Sequence, residues 1–301
     1  MPVVTPLIVL SSPYSSAALV ASMLGRHPSA YAVPELNLFA EPCLSDLLDR
    51  LPANRMHGLL RAVAQIYGGE QTLESIEMAR RWIFRRARQE TPIVYRELCQ
   101  RVTPRRLIEV SPLYTEGGHE KILRRIRDAF PEADYLHLVR HPFAQCLSWL
   151  KDPSALPELQ RLESFDPSSD RLLLDPQFDW YRRHSAIVAF LREVASERQR
   201  CVLSEDVLAD AQGELARLCS WLGFEWNQEN VDAMLHPEHS PFSGPGPYGT
   251  EGGTDPAFLA SAHYQRQPRE DQPLDQALPW RPDGGQFVPK LIELARSFGY
   301  P

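Results

Sequence analysis

The 301-residue chain is short of several things, and each shortage removes a class of protein. Its five cysteines, Cys43, Cys99, Cys146, Cys201 and Cys219, contain no C-x-x-C pair. An odd, scattered set argues against a disulfide framework and for a reducing compartment in which they serve as small packing residues. No run approaches the ~18 consecutive apolar residues of a membrane-spanning helix, and the first residues carry no basic leader, so a cytoplasmic protein with no membrane partner is expected. Basic residues are in deficit, 32 Lys and Arg against 39 Asp and Glu. The resulting net charge of −7 argues against a protein devoted to nucleic acid or to anionic lipid, although a local basic pocket remains compatible with it. Neither a G-x-S-x-G elbow nor a G-x-x-x-x-G-K-[ST] loop occurs, which argues against a serine hydrolase and a Walker-type nucleotide site. No His, Cys or carboxylate cluster has metal-ligand spacing, so no metal is expected.

What is present is a chain with 43% hydrophobic residues, enough for a full core and for one domain over 1–301. Pro6 to Leu10 reads as a buried parallel strand, and Ser11 begins a turn. Ser12, Ser15 and Ser16 are placed to cap a helix whose apolar positions Leu19, Val20, Met23 and Leu24 recur at helical spacing. A strand feeding a helix start leaves backbone N–H groups and the positive dipole end at the mouth of the loop, which suits a phosphate or sulfate. An ordinary serine-capped turn has the same text, and Glu35 behind it reads equally as a base or as a surface acid.

Residues 41–100 carry apolar residues at three and four spacing and read as a helical insertion that stops at Gly68-Gly69. Within it, Arg80, Arg81, Arg85, Arg86 and Arg88 read first as a solvated face, and otherwise as a guide for an acidic substrate or carrier protein. RRLIEVSPLY at 105–114 reads as a second strand, and a helix from about Glu120 to Phe130 follows. Tyr135 to Val139 reads as a third strand, ended by Arg140, with Pro142 at the first helical position and Ser148 two turns on. CVLSEDVL reads as a further strand ending in Glu205 and Asp206, structural caps rather than catalysts. Residues 237–289 hold 10 prolines and 7 glycines, which marks an irregular flap able to cover a site. QFVPKLIELARSFGY closes the chain as a helix.

These segments resemble, in order and spacing, the sulfotransferases that use 3′-phosphoadenosine-5′-phosphosulfate. The family's first loop reads G-S-P-R-S-G-T-T-L-L; Ser12, Pro13, Ser15 and Leu19 match it, and His27-Pro28 and Glu35 stand where the family has its HP pair and, in several branches, its catalytic glutamate. The basic residue of the loop is Tyr14 here, its glycine is Ser16, and its two threonines are Ala17 and Ala18. In the family's D-K-T-P-S-Y segment, Glu109, Ser111, Pro112 and Tyr114 align, while the lysine that reaches the sulfuryl group is Val110. Arg140 and Ser148 keep the eight-residue separation that holds the nucleotide's 3′-phosphate, and Ser204, Glu205, Asp206, Leu222 and Gly223 match a later segment. The flap text is most similar to sulfotransferase domains acting on β-hydroxyacyl chains of polyketide carrier proteins, with Tyr114, Tyr248 and His263 as substrate- or flap-side candidates but without the D-R-M-T-D-G piece.

The resemblance implies a three-layer α/β sandwich with a mainly parallel central sheet, P-loop-like, with the helical insertion at 41–100 and the flap at 237–289. Its ligand belongs at the carboxyl ends of the strands ending near Leu10 and Val139. It implies sulfuryl transfer to a hydroxyl of a small molecule or carrier-bound hydroxyacyl chain, with Glu35 as base and with Ser12, Tyr14, Ser15, Ser16, Arg140 and Ser148 on the donor. Arg96 or Arg101 could replace a missing cation. The alternative is a diverged protein that has lost donor use and binds or transforms an acyl or phosphopantetheine-linked ligand. Coenzyme A, which carries the same 3′-phosphorylated adenosine diphosphate, is a possible cofactor on that reading.

Overall fold

A computed structural model describes residues 5–116, 120–167, 173–269 and 272–301. Five strands form its sheet: β1 (Leu7–Leu10), β2 (Ala30–Val33), β3 (Arg106–Val110), β4 (Asp134–Val139) and β5 (Gln199–Leu203). All pairings are parallel, in the order β2-β3-β1-β4-β5. β1 is central, pairing Val9 with Val110 on one side and with Leu136 on the other.

Alternation along the strands builds two cores, because successive side chains leave a strand on opposite faces. Leu7, Val9, Ile108, Val110, Leu136 and Leu138 face one layer, made by α1 (Ala17–Gly25), α11 (Ala211–Leu222) and α12 (Gln228–Met234). Ile8, Leu10, Leu107 and Tyr135 face the other, larger layer. That layer holds α2 (Leu44–Arg50), α3 (His57–Val63), α4 (Leu73–Arg85), α5 (Thr91–Val102), α6 (Glu120–Ala129) and α9 (Gln177–Leu191). The expected three-layer α/β sandwich is therefore the fold. α7 (Pro142–Lys151) and α8 (Leu156–Arg161) follow β4, α10 (Ser204–Ala209) follows β5, and α13 (Pro256–Ala260) and α14 (Pro289–Ser297) complete the chain.

The 41–100 segment is helical, and Gly69, at φ 81°, ends a π-helical turn in a conformation that favours glycine. Between Pro237 and Pro289 the flap holds only a short 3₁₀ turn and α13, with residues 270–271 outside those described. Three local expectations are corrected. β2 was not foreseen: AYAV forms an edge strand, pairing Ala30 with Arg106. The CVLSEDVL strand stops at Leu203, and Ser204 begins α10, placing Glu205 and Asp206 in a helical first turn. The serines before α1 do not cap it, since Ser16 occupies the N-cap at φ 60° with no side-chain cap bond. Among the described residues no helix is long and apolar enough to cross a membrane.

Candidate active site

A cleft of about 320 Å³ opens at the carboxyl ends of β1 and β3. It is lined by the loop Ser11–Ser15, the start of α1, Glu35, Arg55, Val110, Pro112, Arg183 and the flap residues Thr254–Pro256. The loop gets its shape from two left-handed residues, Tyr14 and Ser16, both at φ 60°. Side chains adopt that region at a cost, which glycine avoids. The family's glycine at the position of Ser16 thus answers a backbone demand that this chain meets with serine. Within the loop, Ser12 accepts a hydrogen bond from Gln145, and the carbonyl of Ser15 accepts one from Ser204. The buried hydroxyls of Ser11 and Ser15 have no partner among the described residues.

Arg140, just past β4, straps this loop from behind. Its Nη1 donates to the Tyr14 carbonyl at 2.7 Å and to Ser148 Oγ at 3.1 Å, so the arginine and serine singled out by their spacing do meet on one guanidinium. Trp180 Nε1 donates to the Arg140 carbonyl at 3.0 Å, fixing the backbone. Burial lowers the Arg140 pKa, opposed by the carboxylates of Glu205 and Asp255.

Glu35 leaves the loop after β2 and projects into the cleft, its side chain 16% exposed. Its backbone is held on both flanks: Glu35 N donates to the Gly253 carbonyl at 2.8 Å, and Leu36 N donates to Glu109 Oε1 at 3.0 Å. Asn37, left-handed at φ 56°, accepts from Ser111 Oγ at 2.6 Å and donates to the Arg55 carbonyl at 2.9 Å. Burial raises the Glu35 pKa to about 7, with the Arg55 guanidinium, 3.9 Å away, pulling the other way. A carboxyl poised there is half ionised near neutrality, which suits a general base.

The cations are not where the resemblance puts them. Tyr14 turns its hydroxyl onto Asp152 Oδ2 at 2.8 Å and sets its ring edge-on to Trp149. Val110 is buried in the sheet core. Arg96 lies over Phe130 and Arg101 over Tyr67, so neither reaches the cleft. The guanidiniums that do line it are Arg55 and Arg183, which the sequence reading missed. Arg55 sits in a turn after Pro52 with no local motif, and pairs with Glu158 at 2.8 Å and with Glu35 and Glu116 at 3.9 Å. Arg183 is fully buried on α9, bridging Asp179 at 2.7 Å and the Pro112 carbonyl at 2.6 Å. Against these two stand five lining carboxyl groups, Glu35, Glu116, Asp152, Glu158 and Asp255.

The remaining candidates lie elsewhere. Tyr114 is buried beneath the cleft, donating to Glu109 Oε1 at 2.9 Å. Tyr248 is 86% exposed, and neither it nor His263 lines the cleft; His263 faces Glu238. In the helical insertion, Arg80, Arg81, Arg85 and Arg88 face solvent, while Arg86 pairs with Glu97.

A phosphoadenosine donor is a partial fit to these residues. Its phosphates suit the Arg140–Ser148 pair, the orphaned Ser11 and Ser15 hydroxyls and the start of α1. Its sulfonate end finds no cation at position 14 or 110, and the guanidiniums nearby are already engaged by acids.

Comparison with known proteins agrees with this geometry. The fold is shared with the sulfotransferase domain of the curacin biosynthetic pathway, at a TM-score of 0.78 and 21% identity over 99% of this chain and 98% of that one. It is shared also with the sulfotransferase domain of the Synechococcus PCC 7002 olefin synthase, at 0.74 and 26% over 99% and 95%. No curated protein matches the chain. A model of the sulfotransferase family matches residues 6–228, most of the chain and every segment that builds the cleft up to the flap, and on that match the chain belongs to the sulfotransferase family.

Proposed function

We propose that the protein transfers a sulfuryl group to the hydroxyl of a small molecule or of a carrier-bound hydroxyacyl chain, with Glu35 as the base. The observation that carries this reading is the placement of Glu35. A largely buried carboxyl with a pKa of about 7, fixed on both backbone flanks, faces the loop that the family uses for its donor. 3′-Phosphoadenosine-5′-phosphosulfate supplies the sulfuryl group when bound, and Arg140, Ser148, Ser11 and Ser15 are the residues that would hold its phosphates. Glu35 in its ionised form accepts the proton of the acceptor hydroxyl, and Arg55 favours that ionised form. Thr254 and Asp255 line the cleft from the flap side. A carrier-bound acceptor is supported by the two structural relatives, whose pathways are those of curacin and an olefin synthase.

A second reading, favoured by the five carboxyl groups around the cleft, keeps the 3′-phosphate site and drops donor use in favour of an acyl or phosphopantetheine-linked ligand such as coenzyme A. Calorimetric titration with adenosine 3′,5′-bisphosphate separates the two when paired with a transfer assay. Micromolar binding that an Arg140→Ala variant weakens tenfold or more, together with sulfonation of a hydroxyacyl acceptor, supports the first reading. Binding of coenzyme A with no transfer to any hydroxyl supports the second.

A further inference from the structure

We propose that His236, Glu238 and His239, completed by His263, form a binding site for a divalent transition-metal ion, zinc being the best match to the donors, at the base of the flap. One ligand atom from each of the first three residues lies within 4.8 Å of the others. His236 Nδ1 is 2.8 Å from Glu238 Oε1, and the His236 and His239 rings stack with centroids 5.5 Å apart. The second carboxylate oxygen of Glu238 lies 3.6 Å from His263 Nδ1, so three imidazoles surround one carboxylate. Histidine nitrogen and carboxylate oxygen are the donors zinc takes at about 2.0–2.2 Å in tetrahedral sites. Ligand atoms around such an ion stand roughly 3.3 Å apart, so His236, Glu238 and His239 need close up by only about 1.5 Å at most. His236 and His263 are exposed and free to rotate.

The backbone beneath the cluster is already fixed, which is what separates it from a chance surface pair. Ser240 N donates to the Pro237 carbonyl at 2.9 Å, His239 N to the His236 carbonyl at 3.2 Å, and Ser243 Oγ to the Glu238 carbonyl at 2.7 Å. His263 is flanked by Ala262, packed on Ala18 and Phe258, and by Tyr264, whose hydroxyl donates to the Leu208 carbonyl at 3.2 Å. The linear text did not announce the site because three ligands fall within one short turn and the fourth comes from beyond α13. An ion there ties the turn after α12 to the segment following α13, whose N-cap Asp255 lines the cleft. Bound metal thereby holds the flap closed over the active site.

The test titrates Zn²⁺ into the intact, chelator-stripped protein at neutral pH, with calorimetry and thermal melting as readouts. One ion per chain is expected, with a raised melting midpoint and slower proteolysis within 237–263. A His236→Ala/His239→Ala variant should lose zinc affinity by at least about tenfold while keeping the zinc-free melting midpoint of the parent. Acidification should weaken binding, since protonated imidazole cannot ligate. Absence of binding, or binding that the double variant leaves intact, overturns the site. Unaltered affinity in His263→Ala overturns the fourth ligand and the link to the flap.

Discussion

Glu35 is where residue-scale physics decides activity. Its carboxyl pKa is raised to about 7 by burial against the opposing pull of Arg55 and Asn37, while backbone bonds on both flanks fix the segment, so its protonation state follows solution pH across the physiological range. Activity should therefore climb as pH rises through 7, and Glu35→Gln should cut turnover by roughly 10²–10⁴ while leaving a profile without that rise. An equal loss at every pH would assign Glu35 a packing role instead. Tyr14 is the second decisive residue, because it spends its hydroxyl on Asp152 where the family carries a cation. Tyr14→Arg should strengthen binding of the phosphosulfate donor by about tenfold through a charge-assisted contact, read by competition against adenosine 3′,5′-bisphosphate, and unchanged affinity would show that the sulfonate lies elsewhere. Arg140 and Ser148 stood out by their spacing behind a readable strand, and Glu35 by the resemblance of its segment to the family's first loop, not by the strand before it. Arg55 and Arg183 did not stand out, since each reaches the cleft from an element whose local pattern serves packing. The serine caps failed for a backbone reason: Ser16, at the N-cap, sits in the left-handed region at φ 60° rather than the extended conformation a capping side chain uses, and makes no side-chain cap bond.

The flap is the element most exposed to a single atom. Gly253, at φ 103°, lies so close to α3 that a Cβ there would stand 2.5 Å from Gly58 N, and its carbonyl accepts the Glu35 N–H. Gly58 is constrained from the other side, since a Cβ on it would meet the Glu35 carbonyl at 2.1 Å. Three segments thus meet with no room for a methyl group. Gly253→Ala should push the flap off Glu35, speeding proteolysis within 237–289 and reducing turnover at least about tenfold, while the melting midpoint, set by the sheet cores, moves little. A fall of the midpoint without faster flap cleavage would mean that the flap is integral to the core. At this scale the sequence was readable wherever an element was long or flanked by breakers, as for β1, β3, β4 and α6. It misled where the run was short: AYAV has too few residues to declare an edge strand, and SEDVL carries valine and leucine that serve α10 as well as they would a strand.

The fold buries titratable groups of opposite sense on and beside its sheet, and their balance shapes its pH range. Glu35 and Glu109 are raised by burial from 4.5 to about 7 and about 8, so the folded chain keeps protons that the unfolded chain releases above 4.5. Stability attributable to them is full below 4.5 and is lost as pH rises toward 7 and 8. His137 and His184, in contact at 2.9 Å within the core, are pushed down by burial, His137 to about 3 from 6.5. Their contribution is full above 6.5 and is lost as pH falls, because only the unfolded chain takes up those protons. Between 4.5 and 6.5 two groups pull each way and the slopes cancel. Above 6.5 the carboxyls act alone. The urea midpoint should therefore be flat from about 4.5 to 6.5 and decline above it, and Glu109→Gln should remove much of that decline while keeping the bonds from Leu36 and Tyr114 on its carbonyl oxygen. An alkaline decline that Glu109→Gln leaves unchanged would show that Glu109 is already ionised in the folded protein and holds no proton through that range.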